Sequence, residues 1–514
     1  MKHHYRFVSF CLGILLAPIS VFDLSAQELS GEAVAAALEK SFVSAVEQAE
    51  PSVVAISKIR RDIVASPFDG RPNAPFDIPR SQGGGADDPD SPNFAPRDFG
   101  SGVIIAVDPE GAAERRAYVL TNYHVVRGGP VSGSDDPSDA NLHIRLFGGK
   151  GHYARIHAAD PRSDLAILDI PADDARPIKI GDGSAVRKGQ FVLALGNPYA
   201  VGRDGSSSVS WGIVSNLTRR PDPQRNASAE NPQKAETMQD LGHLIQVDAR
   251  INLGASGGAL INLKGELVGL STSLAALSGY EKSAGFAIPI DKATLRIIET
   301  LKAGKEVEYG FLGINLGPEG LPMDAFGGMR RFRSIRSGVL VMNVIPNSPA
   351  DRGGMRDRDL VSSVNGIPIS TRSDLMREIG KLAPEETAHL EVRHEGGSDL
   401  TPLSIVVGKW PVLDEEGIIA PTPRYQPWRG LTVDYATGRS RFNALSGTGF
   451  PNAVVVTHIA PESAAARAQV EPGSFVTSVN DRPVATPREF HTAVSDLNGP
   501  VSLTLTDGKK ISLE

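Results

Sequence analysis

A mainly β chain made of several domains is what the sequence predicts, on three observations. From Val53 onward, short runs rich in Val, Ile and Leu alternate with Gly, Asp, Asn and Pro, as in Val53 to Ile56, Gly102 to Val107, Tyr118 to Thr121, Phe191 to Leu195 and Glu266 to Ser271. Frequent short strands with turn residues between them predict an all-β barrel or sandwich across residues 50 to 290. Further on, GVLVMNVIPNSPADRGGMRDRDLVSSVNGIPI from Gly338 aligns without a gap to AVVVTHIAPESAAARAQVEPGSFVTSVNDRPV from Ala453. The offset of 115 residues (453 − 338) pairs Pro346 with Pro461, Ser348 with Ser463, Val364 with Val479 and Asn365 with Asn480. A long period present twice means tandem copies of one domain, not a solenoid, whose repeats run to roughly 20 to 50 residues. Finally, 514 residues with 40% hydrophobic and 22% charged content are ordinary for globular protein, and the length suits roughly two to four domains.

In chain order, Lys2 and Arg6 precede the apolar run Phe7 to Phe22, and small Ser25 and Ala26 follow. That is the layout of a secretory signal peptide, so residues 1–26 are expected to be a cleaved leader. The run is interrupted by Pro18 and, at 16 residues (7 to 22), falls short of the ~20 that span a bilayer. Ala33 to Ala49 is expected to be a helix, with Ala35, Leu38, Phe42, Val43 and Val46 at helical spacing and Pro51 ending it. Residues 65–99, 129–140 and 217–243, crowded with Pro, Gly, Asp and other polar residues, read as long loops. Asp291 to Ala303 reads as a helix that closes the β region.

Composition excludes several function classes. Without the leader the formal charge changes from −7 to −8 (51 basic against 59 acidic residues), and the basic residues are scattered among acids. Phosphate binding draws on clustered Lys and Arg, so nucleic acid is not an expected partner. The single cysteine, Cys11, lies in the leader, which removes cysteine catalysis and thiolate metal sites and suits an oxidising compartment. No His, Asp or Glu cluster shows ligand spacing, and neither metal nor organic cofactor is expected.

Hydrolysis by serine needs an activated alcohol, a base in hydrogen-bond reach, a carboxylate that fixes the base's tautomer, and backbone donors for the oxyanion. Residues 252 to 260 read NLGASGGAL, with Ser256 among Gly254, Gly257 and Gly258. Such glycines allow a tight turn in which the Gly254 and Ser256 N–H groups point at a developing oxyanion. TNYHVV sets His124 directly after a short apolar strand, and SDLAILDI sets Asp164 at the start of another. The order is His, Asp, Ser, with spacings of 40 (164 − 124) and 92 (256 − 164) residues. His152, His157 and His243 lack comparable neighbours and read as surface or loop residues; Asp160, Asp169 and Asp182 read as turn residues.

These motifs together resemble the HtrA (Deg) family of trypsin-like serine proteases with C-terminal PDZ domains. SGVII, LTNYHVV, DPRSDLAIL, LALGNPYAVG, IQVDARINLGASGGAL, GELVGLSTS and GFAIPID follow in that family's order over residues 101 to 291. The resemblance implies a chymotrypsin-like double β-barrel protease domain over 27–303, a first PDZ domain over 306–412 and a second over 424–514. It implies that Asp164 orients His124, that His124 deprotonates Ser256, and that Ile251, Ala287 and Ile288 line an apolar specificity pocket favouring small or medium aliphatic side chains. Loops 65–99 and 217–243 resemble the family's regulatory and sensor loops. Peptide C-termini are expected at the PDZ loops Phe311, Leu312, Gly313 and Ile314 and, in a second copy that departs more, Arg429, Gly430 and Leu431. Implied too are an exported or periplasmic location, unfolded or misfolded polypeptides as substrates, membrane contact only in passing through the leader, and a homo-oligomer, a trimer or a multiple of one, with Phe42 at a contact. The chain departs from the family pattern at Val247, Leu253 and Ala255; Ala255 sits beside the nucleophile and leaves a chaperone or scaffold without turnover as the rival reading.

Overall fold

The computed structural model describes residues 31–60, 98–127, 140–197, 204–219, 241–252, 254–272, 285–317, 338–397, 399–443 and 449–514, with Pro89, Pro96, Thr237 and Met238 between them. The expected leader, most of the three long loops, and Leu253 lie outside the described residues. Helix α1 spans Gly31–Ala49 and is followed by a 3-10 turn with Pro51 in its first positions. Its Ala45 and Ala49 are buried, and Phe42 and Val46 pack on the main core.

Six strands form the first closed barrel: β1 Val53–Arg60, β2 Asp98–Val107, β3 Arg116–Asn122, β4 Ala140–Arg145, β5 Gly151–Asp160 and β6 Leu165–Pro171, in the order β1-β2-β3-β6-β5-β4. A second closed barrel holds β7 Phe191–Gly196, β8 Ser208–Arg219, β9 Leu244–Val247, β10 Ala259–Ile261, β11 Leu267–Thr272 and β12 Gly285–Pro289, in the order β10-β11-β12-β9-β8-β7. Strand period explains why these segments read as unbroken apolar runs. In β6, Ala166, Leu168 and Ile170 fill the first barrel, whereas Leu165 and Ile167 face a core shared with the second. Likewise Val192 and Ala194 of β7 fill the second barrel while Leu193 and Leu195 face the shared core. Each Val, Leu or Ile among them, fully buried, contributes about 1.5–3 kcal/mol, so the seam between the barrels is held as firmly as either interior.

Helix α2, Tyr123–Arg127, follows β3 directly, and α3, Lys292–Lys302, follows β12 with Asp291 as its cap, accepting from the Thr294 N–H at 2.9 Å. Ile297, Ile298 and Leu301 of α3 join the shared core.

The repeat in the sequence becomes two copies of one topology. The first contains β13 Gly310–Phe311, β14 Ile314–Leu316, β15 Val339–Val344, α4 Pro349–Arg352, β16 Leu360–Val364, β17 Ile367–Pro368, α5 Arg372–Gly380, β18 Thr387–Arg393, β19 Thr401–Val406 and β20 Gly408–Lys409. The second contains β21 Leu431–Tyr435, α6 Ser440–Asn443, β22 Val454–Ile459, α7 Ala464–Arg467, β23 Phe475–Val479, β24 Arg482–Pro483, α8 Pro487–Val494, β25 Val501–Leu505 and β26 Lys510–Leu513. Sheet orders match, β14-β15-β16-β18-β19 against β21-β22-β23-β25-β26, with β17 and β24 as equivalent side pairings. So do the caps: Ser348 and Ser463 cap α4 and α7, and Thr371 and Thr486 make full capping boxes on α5 and α8.

Candidate active site

The serine loop is shaped by what its glycines leave room for. Gly257 has φ +83°, and a methyl there would lie 2.1 Å from the Ser101 carbonyl oxygen and 2.4 Å from Thr121 Oγ1; one at Gly258 would lie 2.3 Å from the Leu195 carbonyl. Both positions therefore need glycine if the loop is to press against β2, β3 and β7. Buried hydrogen bonds lock it there. The Ser101 N–H donates to the Ser256 carbonyl at 2.8 Å, Ser101 Oγ to the Gly254 carbonyl at 2.7 Å, and Thr121 Oγ1 to the Ser101 carbonyl at 2.7 Å. Ser101 Oγ in turn accepts from the Asn197 N–H at 2.9 Å. A second-barrel loop is thus bolted to Ser101 of β2, which Thr121 holds in turn from the end of β3, where α2 and His124 emerge.

His124 and Asp164 are held as a unit. His124 Nδ1 faces both carboxylate oxygens of Asp164, at 2.8 and 3.0 Å, and the His124 backbone N–H donates to Asp164 Oδ1 at 3.0 Å. Asp164 takes the left-handed conformation, φ +53°, which few residues other than Gly, Asn and Asp adopt cheaply. Its carbonyl accepts from the Tyr123 N–H at 2.9 Å and from Asn122 Nδ2 at 3.2 Å, so main chain and side chain both point at α2. Burial, the largest influence on His124, disfavours its charged form, but the charge and hydrogen bond of Asp164 together outweigh it and hold the imidazole above its ordinary 6.5. His124 Nε2 is buried and makes no hydrogen bond among the described residues. Such bonds are often long in unliganded enzymes and tighten only with substrate.

Residues 100–270 match a family model of the trypsin-like peptidase domain, and residues 311–404 match one of the PDZ domain. A probable DegP-like periplasmic serine endoprotease of Hahella chejuensis is 30% identical over 472 residues, covering 90% of this chain and 89% of its own. The chain belongs to the HtrA/DegP family. The periplasmic serine endoprotease DegP of Salmonella typhimurium is 29% identical over 523 residues, covering 97% of this chain and 95% of its own. Among solved structures, the HtrA-type protease AlgW with decapeptide is 25% identical, covers 72% of this chain and 99% of its own, and superposes with a TM-score of 0.47. As a member of the DegP-like family the protein is a periplasmic serine endopeptidase.

The expected pocket residues divide. Ile251 packs against the second-barrel core that contains Ala287, and its Cδ1 lies 2.8 Å from where a methyl at Gly285 would stand. Ile288, next along β12, faces the opposite way into the shared core with Leu165 and Ile297. Consecutive strand residues face opposite ways, so Ala287 and Ile288 lie on different faces of β12.

Other expectations need correction too. Asp160 does serve a turn, accepting from the Ser163 N–H at 3.1 Å, but it is also fully buried and accepts from Arg162 Nε at 2.9 Å and from the Tyr309 hydroxyl. Asp169, inside β6, binds Arg155 Nε at 3.0 Å. His243 lies in a loop, as expected, and is buried there 3.4 Å from Asp291. Asp182 does cap a turn, accepting from the Ser184 N–H at 2.9 Å. Sequence reasoning also passed over Ser101, Thr121 and Asn122, which build the serine loop's seat and Asp164's support. Their signal was polar residues directly beside the apolar runs of β2 and β3.

In the first PDZ loop the Leu312 and Gly313 carbonyls accept from Ala350 and Ile345, each at 2.9 Å, and Gly313 has φ +79°. The second loop copies this, with the Arg429 and Gly430 carbonyls accepting from Ala465 at 3.2 Å and Ala460 at 2.8 Å. One difference stands out: Trp428 and Leu431 exchange both backbone hydrogen bonds, at 3.0 and 2.8 Å, across left-handed Arg429 and Gly430.

Proposed function

We propose that Ser256 is the nucleophile, His124 the general base and acid, Asp164 the group that orients it, and the Gly254 and Ser256 N–H groups the oxyanion donors. The observation that carries this is the bidentate seating of His124 on Asp164 just past the end of β3, whose Thr121 holds the Ser101 of β2 to which the Ser256 loop is bonded. His124 takes the Ser256 proton as Oγ attacks the scissile carbonyl, then gives it to the leaving amine as the C–N bond breaks. Water, deprotonated by the same imidazole, then attacks the acyl carbon; as the bond to Ser256 Oγ breaks, the imidazolium returns its proton to that oxygen. Ala255 need not remove the oxyanion site, since its donors are main-chain groups.

The substrates of this reading are unfolded or damaged proteins of the envelope, cleaved after small or medium aliphatic residues that fit beside Ile251 and Ala287. The first PDZ copy presents peptide C-termini, the leader is removed on export, and the mature chains assemble as trimers or multiples of trimers. The divisions 27–303, 306–412 and 424–514 separate these tasks, a reading supported by separate barrels and sheets.

A fluorophosphonate probe tests the triad: the full chain is expected to label, and Ser256→Ala to lose labelling together with about 10⁶ in kcat. Asp164→Asn is expected to lose about 10⁴, because the wrong tautomer of His124 faces the serine. Since the base must be neutral and Asp164 favours its charged form, kcat/KM should rise with pH through a midpoint above 6.5. Labelling that survives Ser256→Ala would refute the assignment.

A further inference from the structure

The segment joining the two PDZ copies returns to the first barrel and touches the supports of the acid–base pair. Asp414 accepts from the N–H groups of Glu416 and Gly417, at 3.1 and 3.2 Å, and turns the chain. Ile419 then exchanges both backbone hydrogen bonds with Ala159, at 2.9 Å each, and its side chain packs on the first-barrel core. Ala159 is the last residue but one of β5, immediately before the turn that ends at Asp164. Arg127, the last residue of α2, donates to the Glu416 carbonyl at 3.1 Å. Between these two points lies Gly417, where a methyl would stand 3.1 Å from the Tyr123 hydroxyl and 3.3 Å from Pro161 Cγ. Tyr123 precedes His124, and Pro161 lies three residues before Asp164.

We propose that residues 414–419 are a positioning strap for the protease site, holding α2 and the 160–164 turn together so that His124 and Asp164 stay in register. The proposal rests on the catalytic assignment of those two residues. Nothing in the strap touches reacting atoms; it acts through Tyr123, Arg127 and Ala159. Its two ends are fixed by the second PDZ copy and the stem of the first. Glu415 meets Arg441 at 3.1 Å and Arg439 at 3.6 Å, and Arg424 meets Glu308 at 3.1 Å. Buried Lys409 meets both Asp434 and Glu306 at 2.9 Å, and Arg162, in the 160–164 turn, donates to the Val307 carbonyl at 2.6 Å. The second PDZ copy is therefore the strap's anchor.

Gly417→Val and Arg127→Ala in the full chain test this, read as the rate of fluorophosphonate labelling against pH alongside thermal unfolding. Among the described residues Asp164 is the charged group acting on His124, while Arg127, Asp414 and Asp160 act on Tyr123. Loosening the strap should therefore slow labelling about tenfold at neutral pH and draw its midpoint down toward the ~6.5 of free imidazole. Arg127→Lys, which keeps a donor, should restore most of the rate. Wild-type rate and midpoint in both Gly417→Val and Arg127→Ala would overturn the proposal. So would a rate that falls only with the melting temperature, at an unchanged midpoint; Arg127→Ala, which adds no bulk, decides if Gly417→Val does not fold. Labelling of His124→Ala at the wild-type rate would instead remove the catalytic assignment, and the strap's role with it.

Discussion

The two PDZ copies share strand order, caps and carbonyl contacts, yet differ where a peptide's carboxylate would sit. In the first loop the chain passes Leu312 and Gly313 without a backbone bond between its ends, Phe311 and Ile314, among the described residues. In the second, Trp428 and Leu431 zip the loop into a closed two-residue turn, with the Leu431 N–H donating to the Trp428 carbonyl. Arg429 then reaches the Leu513 and Gly499 carbonyls, both at 2.6 Å, and lies over the Trp428 ring. Capture of a carboxylate draws on free N–H groups in a backbone nest, and one of the second loop's three has been spent internally. A duplicated domain can thus keep its fold while changing the loop at which the copies differ.

The heaviest loss should come at the joint that makes the second copy an anchor. Lys409 is buried among Glu306, Glu308 and Asp434, at 2.9, 3.4 and 2.9 Å. Lys409→Met would leave the acids short of their shared cation and should cost about 3–5 kcal/mol, measured by chemical denaturation. Burial weighs most on both glutamates and pushes them up. In Glu306 the charges of Lys409, Arg439 and Arg162 win and hold it down at about 2, whereas in Glu308 burial prevails and the carboxyl stays above its ordinary value. The signs differ accordingly. Glu306 contributes stability that is complete above its unfolded 4.5 and is lost as pH falls toward about 2. Glu308 contributes below 4.5 and loses that contribution as pH rises through its raised value. A cost under about 1 kcal/mol for Lys409→Met would make this an ordinary surface contact and end the contrast between anchor and receptor.

Next in size is a paired substitution that separates the loops by function. A methyl at Gly313 would lie 2.3 Å from Ser348 Cβ, and one at Gly430 would lie 2.2 Å from Ser463 Cβ, both at positive φ. Gly313→Ala and Gly430→Ala therefore strain their loops alike. Affinity of the full chain for a peptide with a free hydrophobic C-terminus, followed by fluorescence anisotropy, should fall at least about tenfold in Gly313→Ala and stay unchanged in Gly430→Ala. Equal losses would mean that the second turn opens to bind peptide after all.

Much of this was legible in the sequence for a physical reason. Both faces of the barrel strands are buried, so their runs of Val, Ile and Leu announce themselves, and the glycines around Ser256 are dictated by close backbone approach. The buried roles of Asp160 and His243 were hidden because their partners Tyr309 and Asp291 lie far along the chain, and no local pattern links them. That Ala287 and Ile288 occupy opposite faces of β12 was likewise hidden, because likeness of position carries no information about which face a residue takes. The strap was invisible because 413–425, LDEEGIIAPTPRY, has neither strand nor helix periodicity; its structure comes from what it lies against.

The mildest substitutions ask whether the copies are equal where their caps match. Thr371 and Thr486 each accept from the third residue of their helix, at 3.1 and 3.2 Å, and Asp374 and Glu489 reach back to the cap's N–H at 2.9 and 3.2 Å. Removing either hydroxyl strands one helix N–H, so Thr371→Ala and Thr486→Ala should each cost about 1 kcal/mol, with no change in peptide affinity from the second. Matched losses in thermal unfolding would confine the divergence between the copies to the loop and the joint. A markedly larger loss at Thr486 would show that α8 bears load which α5 does not, and would move part of the anchor's role from Asp434 and Arg439 to the helix on which Tyr425 stacks through His491, ring centroids 4.5 Å apart.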